Sequence, residues 1–189
     1  MLKKFNFFLI IFSDKILSLF LLIIFSPFLF IIYFLLFIFN SGSVFYISER
    51  IGFQNKPFKL IKFKTMKDDL NEEITKIGNF LRRSSMDELP QLINVLKGDM
   101  SLVGPRPYPL KVLSNINNEN NFLRHKVRPG ITGYSQVFFS GKKRSLEEKI
   151  AHDIHFVKNY NLLLYYLIII KTPLTIIKRY FLNPSGKTL

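Results

Sequence analysis

The sequence contains no cysteine, which excludes disulfides, thiolate metal sites and thiol redox chemistry. It is also short of acid. Thirteen Asp and Glu stand against 27 Lys and Arg, for a formal net charge of +14. That imbalance calls for an anionic partner: nucleic acid, an anionic membrane surface or phosphorylated small molecules. No small-x-small cleavage site follows the apolar start of the chain, which excludes a removable signal peptide. No internal repeat or low-complexity linker divides the 189 residues, so one domain with an appendage is expected.

What the chain has in excess is phenylalanine, 21 residues concentrated towards the start. Residues 16–39 run without a charge, and as a straight helix would exceed a hydrocarbon core of ~30 Å. They form either a spanning helix kinked at Ser26-Pro27 or a re-entrant helix–break–helix that returns to the face it entered. Proline removes one backbone hydrogen bond and crowds the carbonyl four residues back, which the Ser26 hydroxyl can help to satisfy. Lys3, Lys4 and Lys15 precede the run, and Arg50, Lys56 and Lys59 follow it. Equal basic flanks are explained most simply by two ends on the cytoplasmic face. The physics alone leaves both topologies open.

Downstream, two strands are expected, Val44–Ile47 and Phe58–Met66, around the turn residues Asn55-Lys56-Pro57. A short helix over 71–83 would place Ile74, Ile77 and Leu81 on one face. A second would bury Leu89, Leu92, Ile93 and Leu96 and close at Lys97-Gly98. The stretch "SLVGPRPYPL" (101–110) must be extended, because the residue before each proline is pushed out of the helical region. Pro129-Gly130 marks a turn. Ser145 and Glu148 form a capping box ahead of Leu146, Ile150, Ile154 and Val157 on one helix face. The uncharged run 161–170 is too short to span. It suits a helix lying in the membrane interface, with a buried core helix as the alternative.

The least expected feature in so basic a chain is the acid pair Asp87-Glu88. Taken alone it suits an ordinary helix start, since Ser85-x-x-Glu88 matches a capping box. Pro90 would then lie too deep, which moves the expected N-cap one or two residues later. Its company suggests chemistry. Arg82 and Arg83 precede it, Arg106 is held between Pro105 and Pro107, Lys126 and Arg128 stand before a rigid turn, and Lys62 and Lys64 lie on the expected strand. Arginine's planar fork matches phosphate oxygens. A carboxylate attacking phosphorus must overcome like-charge repulsion, which cations and Mg2+ remove. Asp87 is thus the candidate nucleophile and Glu88 the candidate metal ligand, through an aspartyl-phosphate type of intermediate. On spacing alone, contact with anionic lipid explains the basic residues somewhat better.

Three blocks, "KFKTM" (62–66), "SSMDELPQLINVLKGDMSLVGPRP" (84–107) and "RHKVRPGITGYSQV" (124–137), together resemble the signatures of the bacterial sugar transferase family. These are the monotopic polyprenyl-phosphate phosphoglycosyl transferases, and the chain is similar to their minimal catalytic core, without room for the extra membrane helices of larger members. The resemblance implies an α+β, mainly helical fold. Residues 1–40 would be a re-entrant membrane helix broken at Ser26 and Pro27. Residues 41–189 would be a catalytic domain on the cytoplasmic face of the bacterial inner membrane, ending in an interfacial helix. The implied reaction moves a sugar 1-phosphate from a UDP-sugar to undecaprenyl phosphate, with UMP released and Mg2+ required. It implies Asp87 as the covalently phosphoglycosylated nucleophile and Glu88, with Asp87, as the Mg2+ site. The Pro-Arg-Pro element falls on Arg106; Arg82, Arg83, Arg128 and Lys64 are the further phosphate candidates. Two departures stand out. "GYSQV" (133–137) replaces the usual Gly-Trp-Ala-Gln-Val, and "FFSGKK" (138–143) puts Lys142 or Lys143 where an arginine is expected, which keeps the charge but loses the fork.

A nucleic-acid-binding module explains the charge but not the apolar run. A basic membrane scaffold without chemistry leaves Asp87-Glu88 and the rigid Arg106 unexplained. His152-x-x-His155 is read as a surface pair rather than a metal site, and His125 is given no role. A homo-oligomer is compatible with all of this.

Overall fold

The structure, a computed structural model, describes residues 2–40, 43–67, 73–114, 118–140 and 144–182. The apolar N-terminal run forms one helix, α1 (Leu2–Phe39), which passes through Pro27. The carbonyl that the proline leaves without its usual partner is that of Ile23. The Ser26 hydroxyl donates to it at 2.8 Å, so the helical turn survives. Helical backbone thus runs on through Ser26-Pro27, where the proline leaves one backbone hydrogen bond unmade. Among the described residues α1 is the one helix long and apolar enough to cross a membrane. Phe20, Ile23, Phe28, Phe30 and Ile31 on it are each more than half exposed. So large an apolar surface belongs in lipid rather than water, and the chain is a membrane protein.

After α1 come β1 (Phe45–Ile51) and β2 (Pro57–Phe63), an antiparallel hairpin with Phe45 opposite Phe63 and Ile51 opposite Pro57. Pro57 opens its strand, where a missing N–H costs least. Gln54 and Asn55 take left-handed conformations in the connection. The Gln54 N–H donates to the His125 carbonyl at 2.8 Å, and the Asn55 amide oxygen meets His125 Nδ1. Burial, with Arg124 nearby, pushes the His125 pKa down to about 4. His125 is thus a neutral support for the hairpin.

Helix α2 (Lys76–Ser84) starts at Thr75, whose hydroxyl accepts from the Gly78 N–H. Ile74 precedes it, bridged to Met66. A single 3-10 turn, Met86–Glu88, leads to α3 (Gln91–Lys97), which ends at Gly98 with φ 87°. The buried positions of α3 are Gln91, Leu92, Asn94 and Val95, while Ile93 is exposed. The face is rotated from the one that Ile93 and Leu96 suggested. Asn94 explains why: its amide accepts from the Ile61 N–H at 3.1 Å and donates to the Lys59 carbonyl at 2.8 Å. A buried amide bonded at both ends replaces an apolar contact and locks α3 to β2.

The remaining elements are β3 (Ser101–Val103), α4 (Leu110–Leu113), α5 (Asn118–Arg124), β4 (Gly130–Thr132), α6 (Tyr134–Phe138), α7 (Leu146–Lys158) and α8 (Leu162–Leu182). Strands β3 and β4 are parallel. The Ser145–Glu148 capping box of α7 forms as expected, although Asp153 and Phe156 join Ile150 on its buried face. Helix α8 has two faces. Tyr165 and Ile168 are buried, whereas Leu163, Ile170, Leu174 and Phe181 are exposed.

Helix α1 takes part in every large apolar cluster. Ile10 packs with Val103, Val127, Phe156, Tyr165 and Ile168. Leu17, Leu21 and Leu22 flank Leu60, Leu92 and Val95, and Ile32 and Leu36 join Val44, Phe63 and Leu81. Ile10 and Leu36, at opposite ends, are both fully buried, each worth about 1.5–3 kcal/mol. The buried Asp14 carboxylate accepts from the hydroxyls of Ser101 and Tyr165, tying the start of α1 to β3 and α8.

Candidate active site

The acid pair owes its position to a sharp turn. Ser85 ends α2 in the left-handed conformation, and its side chain caps nothing in the turn that follows. The Ser85-x-x-Glu88 match forms no capping box, as Pro90 suggested. A tight turn stands there instead, aiming both carboxylates into a cleft, and α3 starts only after Pro90. Asp87 is 9% exposed. Glu88 Oε1 receives Lys62 Nζ at 2.7 Å and Arg106 Nη2 at 3.2 Å. Lys62 arrives there because β2 alternates: Phe58 and Leu60 enter the core from the same face and Lys62 follows them.

Arg106 is placed by a chain of contacts. The backbone N–H of Gly104 bonds the Thr132 carbonyl and that of Gly130 the Pro105 carbonyl, both at 3.0 Å. A Cβ on Gly130 would come within 2.0 Å of the Gly104 nitrogen, so only glycine permits this approach. The Arg106 carbonyl then accepts from Arg124 Nη2 at 2.7 Å. Arg124, 1% exposed, is in turn gripped by Asp153 at 2.9–3.0 Å and lies 4.8 Å from the centre of the Tyr108 ring. Burial pushes the Asp153 carboxyl up to about 6 against the pull of Arg124.

The cleft has a volume of about 550 Å³, and among the described residues seven Lys and Arg line it against two acids, Asp87 and Glu88. Among them are Arg82, which donates to the Thr65 hydroxyl at 2.8 Å, and Arg179 from α8, which donates to the Ser85 hydroxyl. Gly78 allows α2 to approach Thr65 closely, since a Cβ there would meet the Thr65 carbonyl at 2.0 Å. The two carboxylates titrate apart. Burial and the neighbouring Glu88 push Asp87 up to about 6, with Lys62, Arg106 and Arg82 opposing. Burial acts on Glu88 too, but Lys62 and Arg106 outweigh it and bring its pKa to about 2. At neutral pH Glu88 is a fixed anion, and Asp87 is an ionised carboxylate of raised basicity. A smaller cavity of about 110 Å³ adjoins the cleft, and Glu88, Lys62, Arg106 and Arg50 face both.

Of the phosphate candidates, Lys64, Arg82 and Arg106 meet at this cleft. Two others do not. Arg83 turns the other way, donating to the Tyr180 carbonyl at 2.9 Å and stacking 4.5 Å from that ring. Arg128 lies near Gly98, with Phe7 of α1 at 6.0 Å. Helical periodicity separates neighbours by about 100°, so adjacent arginines on α2 serve different ends. Lys142 and Lys143 lie outside the described residues. Arg144, next in sequence, donates to the Ser135 carbonyl at 2.7 Å and to its hydroxyl. Sequence reasoning missed Arg50, Arg124, Asp153 and Arg179 and left Lys62 without a role. Arg179 sits on a helix read as interfacial, and only folding brings it 94 positions back to Ser85.

Residues 5–179 match the profile described as bacterial sugar transferase. The chain is 37% identical over 153 residues to the UDP-N-acetylgalactosamine-undecaprenyl-phosphate N-acetylgalactosaminephosphotransferase of Aeromonas hydrophila, covering 73% of this chain and 36% of that protein. It is 37% identical over 166 residues to the UDP-glucose:undecaprenyl-phosphate glucose-1-phosphate transferase of Escherichia coli (strain K12), covering 79% and 36%. With the exopolysaccharide production protein ExoY of Sinorhizobium fredii it shares 33% identity over 186 residues, 84% of this chain and 81% of that one. The chain thus spans about a third of the length of the first two relatives and most of the third. A profile match over nearly all of its residues, together with an acid pair set in a cation-lined cleft, places the chain in the bacterial sugar transferase family.

Proposed function

We propose that the protein transfers a sugar 1-phosphate from a UDP-sugar to undecaprenyl phosphate, releasing UMP, as the initiating step of surface-glycan synthesis. The observation that carries this reading is the Asp87-Glu88 pair, its carboxylates turned into a cleft where, among the described residues, cations outnumber them. A carboxylate dyad needs no such surplus for stability, but a diphosphate brings the missing negative charge.

In the proposed sequence Asp87 attacks the phosphorus that bears the sugar. The Asp87 O–P bond forms, the bond to the second phosphate breaks, and UMP leaves. A phosphate oxygen of the acceptor then attacks the same phosphorus, the Asp87 O–P bond breaks, and the carboxylate is regenerated. Arg106, Lys62, Arg82 and Lys64 neutralise the phosphoryl oxygens. Arg124 and Asp153 act as positioning residues, through the Arg106 backbone.

The donor set fits Mg2+. Among the described residues no cluster of three acidic or histidine side chains forms a full protein cage, and Mg2+ ordinarily takes one or two carboxylates with substrate phosphates and water. Asp87 and Glu88 would hold it, and when bound it would withdraw charge from the phosphoryl oxygens.

Helix α1 is proposed to bend at Ser26-Pro27, dipping into one leaflet and returning, which leaves the cleft on the cytoplasmic face of the inner membrane. The support is that Ile10 and Leu36 are both buried against the same body. A spanning helix would carry one end away from it. A single cysteine introduced at Asn40 in this cysteine-free chain should react with an impermeant reagent only from the cytoplasmic side. Labelling from the periplasm would refute re-entry.

The reaction is tested by incubating the full chain with a panel of UDP-sugars and Mg2+, without acceptor, and taking the intact mass. The expected result is an added sugar phosphate, absent in Asp87→Asn and discharged by undecaprenyl phosphate. UMP released only when lipid is also present would replace the covalent route by direct transfer. No adduct and no UMP with any donor would leave a basic membrane protein without this chemistry.

A further inference from the structure

The proposed reaction handles two phosphoryl groups in each half, and the roles assigned so far neutralise only the one at Asp87. Behind Glu88 lies the second cavity, about 110 Å³, faced by Arg50, Lys62, Glu88, Gln91, Arg106 and Tyr108. That space holds several waters or one tetrahedral oxyanion.

Two of its side chains have unmet bonding capacity. Gln91 is 2% exposed, and its Nε2 has no hydrogen-bond partner. Buried amide donors are nearly always satisfied. Arg50 is the second. Its buried Nε has no partner, while its Nη1 donates to the Glu49 carbonyl at 3.3 Å and the guanidinium also bonds the Tyr46 hydroxyl. Among the described residues no carboxylate pairs with it, although it lies within electrostatic reach of Arg106. Glu88 does not balance the group, because Lys62 and Arg106 already share its Oε1. Two neighbouring guanidinium groups, a lysine and an unpaired amide around one cavity describe a receptor for an oxyanion.

We infer that Arg50, Gln91 and Arg106 form a second phosphoryl subsite, separated from the position at Asp87 by the Glu88 carboxylate. It takes a phosphate monoester, the form shared by UMP and a polyprenyl phosphate. Arg50 supplies the fork, Gln91 an uncharged N–H, and Arg106 links the two positions because it faces both cavities. The inference rests on the transferase reading for the identity of the phosphates, and on the geometry for the site itself.

The test is equilibrium binding to the full chain in nanodiscs, with UMP in one arm and a short-chain polyprenyl phosphate in the other. Uridine and the free polyprenol are the phosphate-free controls. Arg50→Gln is expected to weaken at least one phosphate ligand by about tenfold or more, the loss of a charge-assisted pair. Its control should be unaffected. Arg50→Lys should fall in between, since it keeps the charge and loses the fork, and Gln91→Leu should weaken the same ligand. The arm that responds names the phosphate. Thermal melting of each variant separates lost binding from lost folding, and Arg50→Lys serves should Arg50→Gln not fold. Wild-type binding of a phosphate that folded Arg50 and Gln91 variants leave intact overturns the subsite alone. Failure of the wild type to bind either phosphate overturns the transferase reading with it.

Discussion

Arg106 stands between two charged groups built on opposite plans. On its backbone side Arg124 and Asp153 pair one to one, both almost wholly buried. On its side-chain side Asp87 and Glu88 face, among the described residues, a surplus of lysine and arginine across an open cleft. A closed pair must balance, because burying an unmatched charge costs several kcal/mol. An open group can stay unbalanced while solvent screens it, and it then selects a ligand of the missing sign. Charge balance, more than the presence of an ion pair, separates scaffold from site here.

The comparison breaks most sharply at Asp87. Asp87→Asn should lower turnover by about 10⁴-fold or more while leaving the melting temperature equal or higher. The sign follows from linkage. The folded pKa of Asp87 is raised to about 6, so its contribution to stability is full below the ordinary carboxylate range and is lost as pH rises through about 6. A neutral amide avoids that loss at pH 7.5. A variant both inactive and strongly destabilised would make the cleft structural. The closed pair should behave in the reverse way. Arg124→Ala leaves Asp153 buried alone and the Arg106 carbonyl without its donor, so denaturant unfolding should show a loss of about 3–5 kcal/mol.

Smaller effects sharpen the same contrast. The rate of adduct formation should be flat above pH 6 and fall about tenfold per unit below it, because only ionised Asp87 attacks. Arg106→Gln removes a cation that holds this pKa down, so the inflection in a pH–rate profile should move upward. Smallest of all, Arg83→Ala and Arg128→Ala should leave adduct formation within about threefold of wild type, since neither lines the cleft.

Features governed by near neighbours in the chain were legible in advance. The long apolar helix, the hairpin around Asn55-Lys56-Pro57 and the capping box of α7 each depend on residues a few positions apart. The α3 face was misjudged because hydrophobic periodicity assumes apolar burial, and Asn94 is buried to serve the β2 backbone. The same limit applied to the arginines. Composition marked Arg82, Arg83, Arg106 and Arg128 alike, and only the packing of α2 and the approach of Gly104 to Gly130 divided them between cleft and scaffold.

The sequence by itself determined that this chain has a lipid-embedded helix, an acid pair flanked by arginines and a rigid Pro-Arg-Pro element, since all three are written in short continuous stretches. Tertiary structure alone decided that Lys62, Arg106 and Arg179 meet at that acid pair, that Arg83 leaves it, and that Arg50 and Gln91 enclose a second cavity. The physical reason is that charge acts through space. Which cation neutralises which carboxylate depends on distance and burial, and those exist only once strands and helices far apart in the chain have packed.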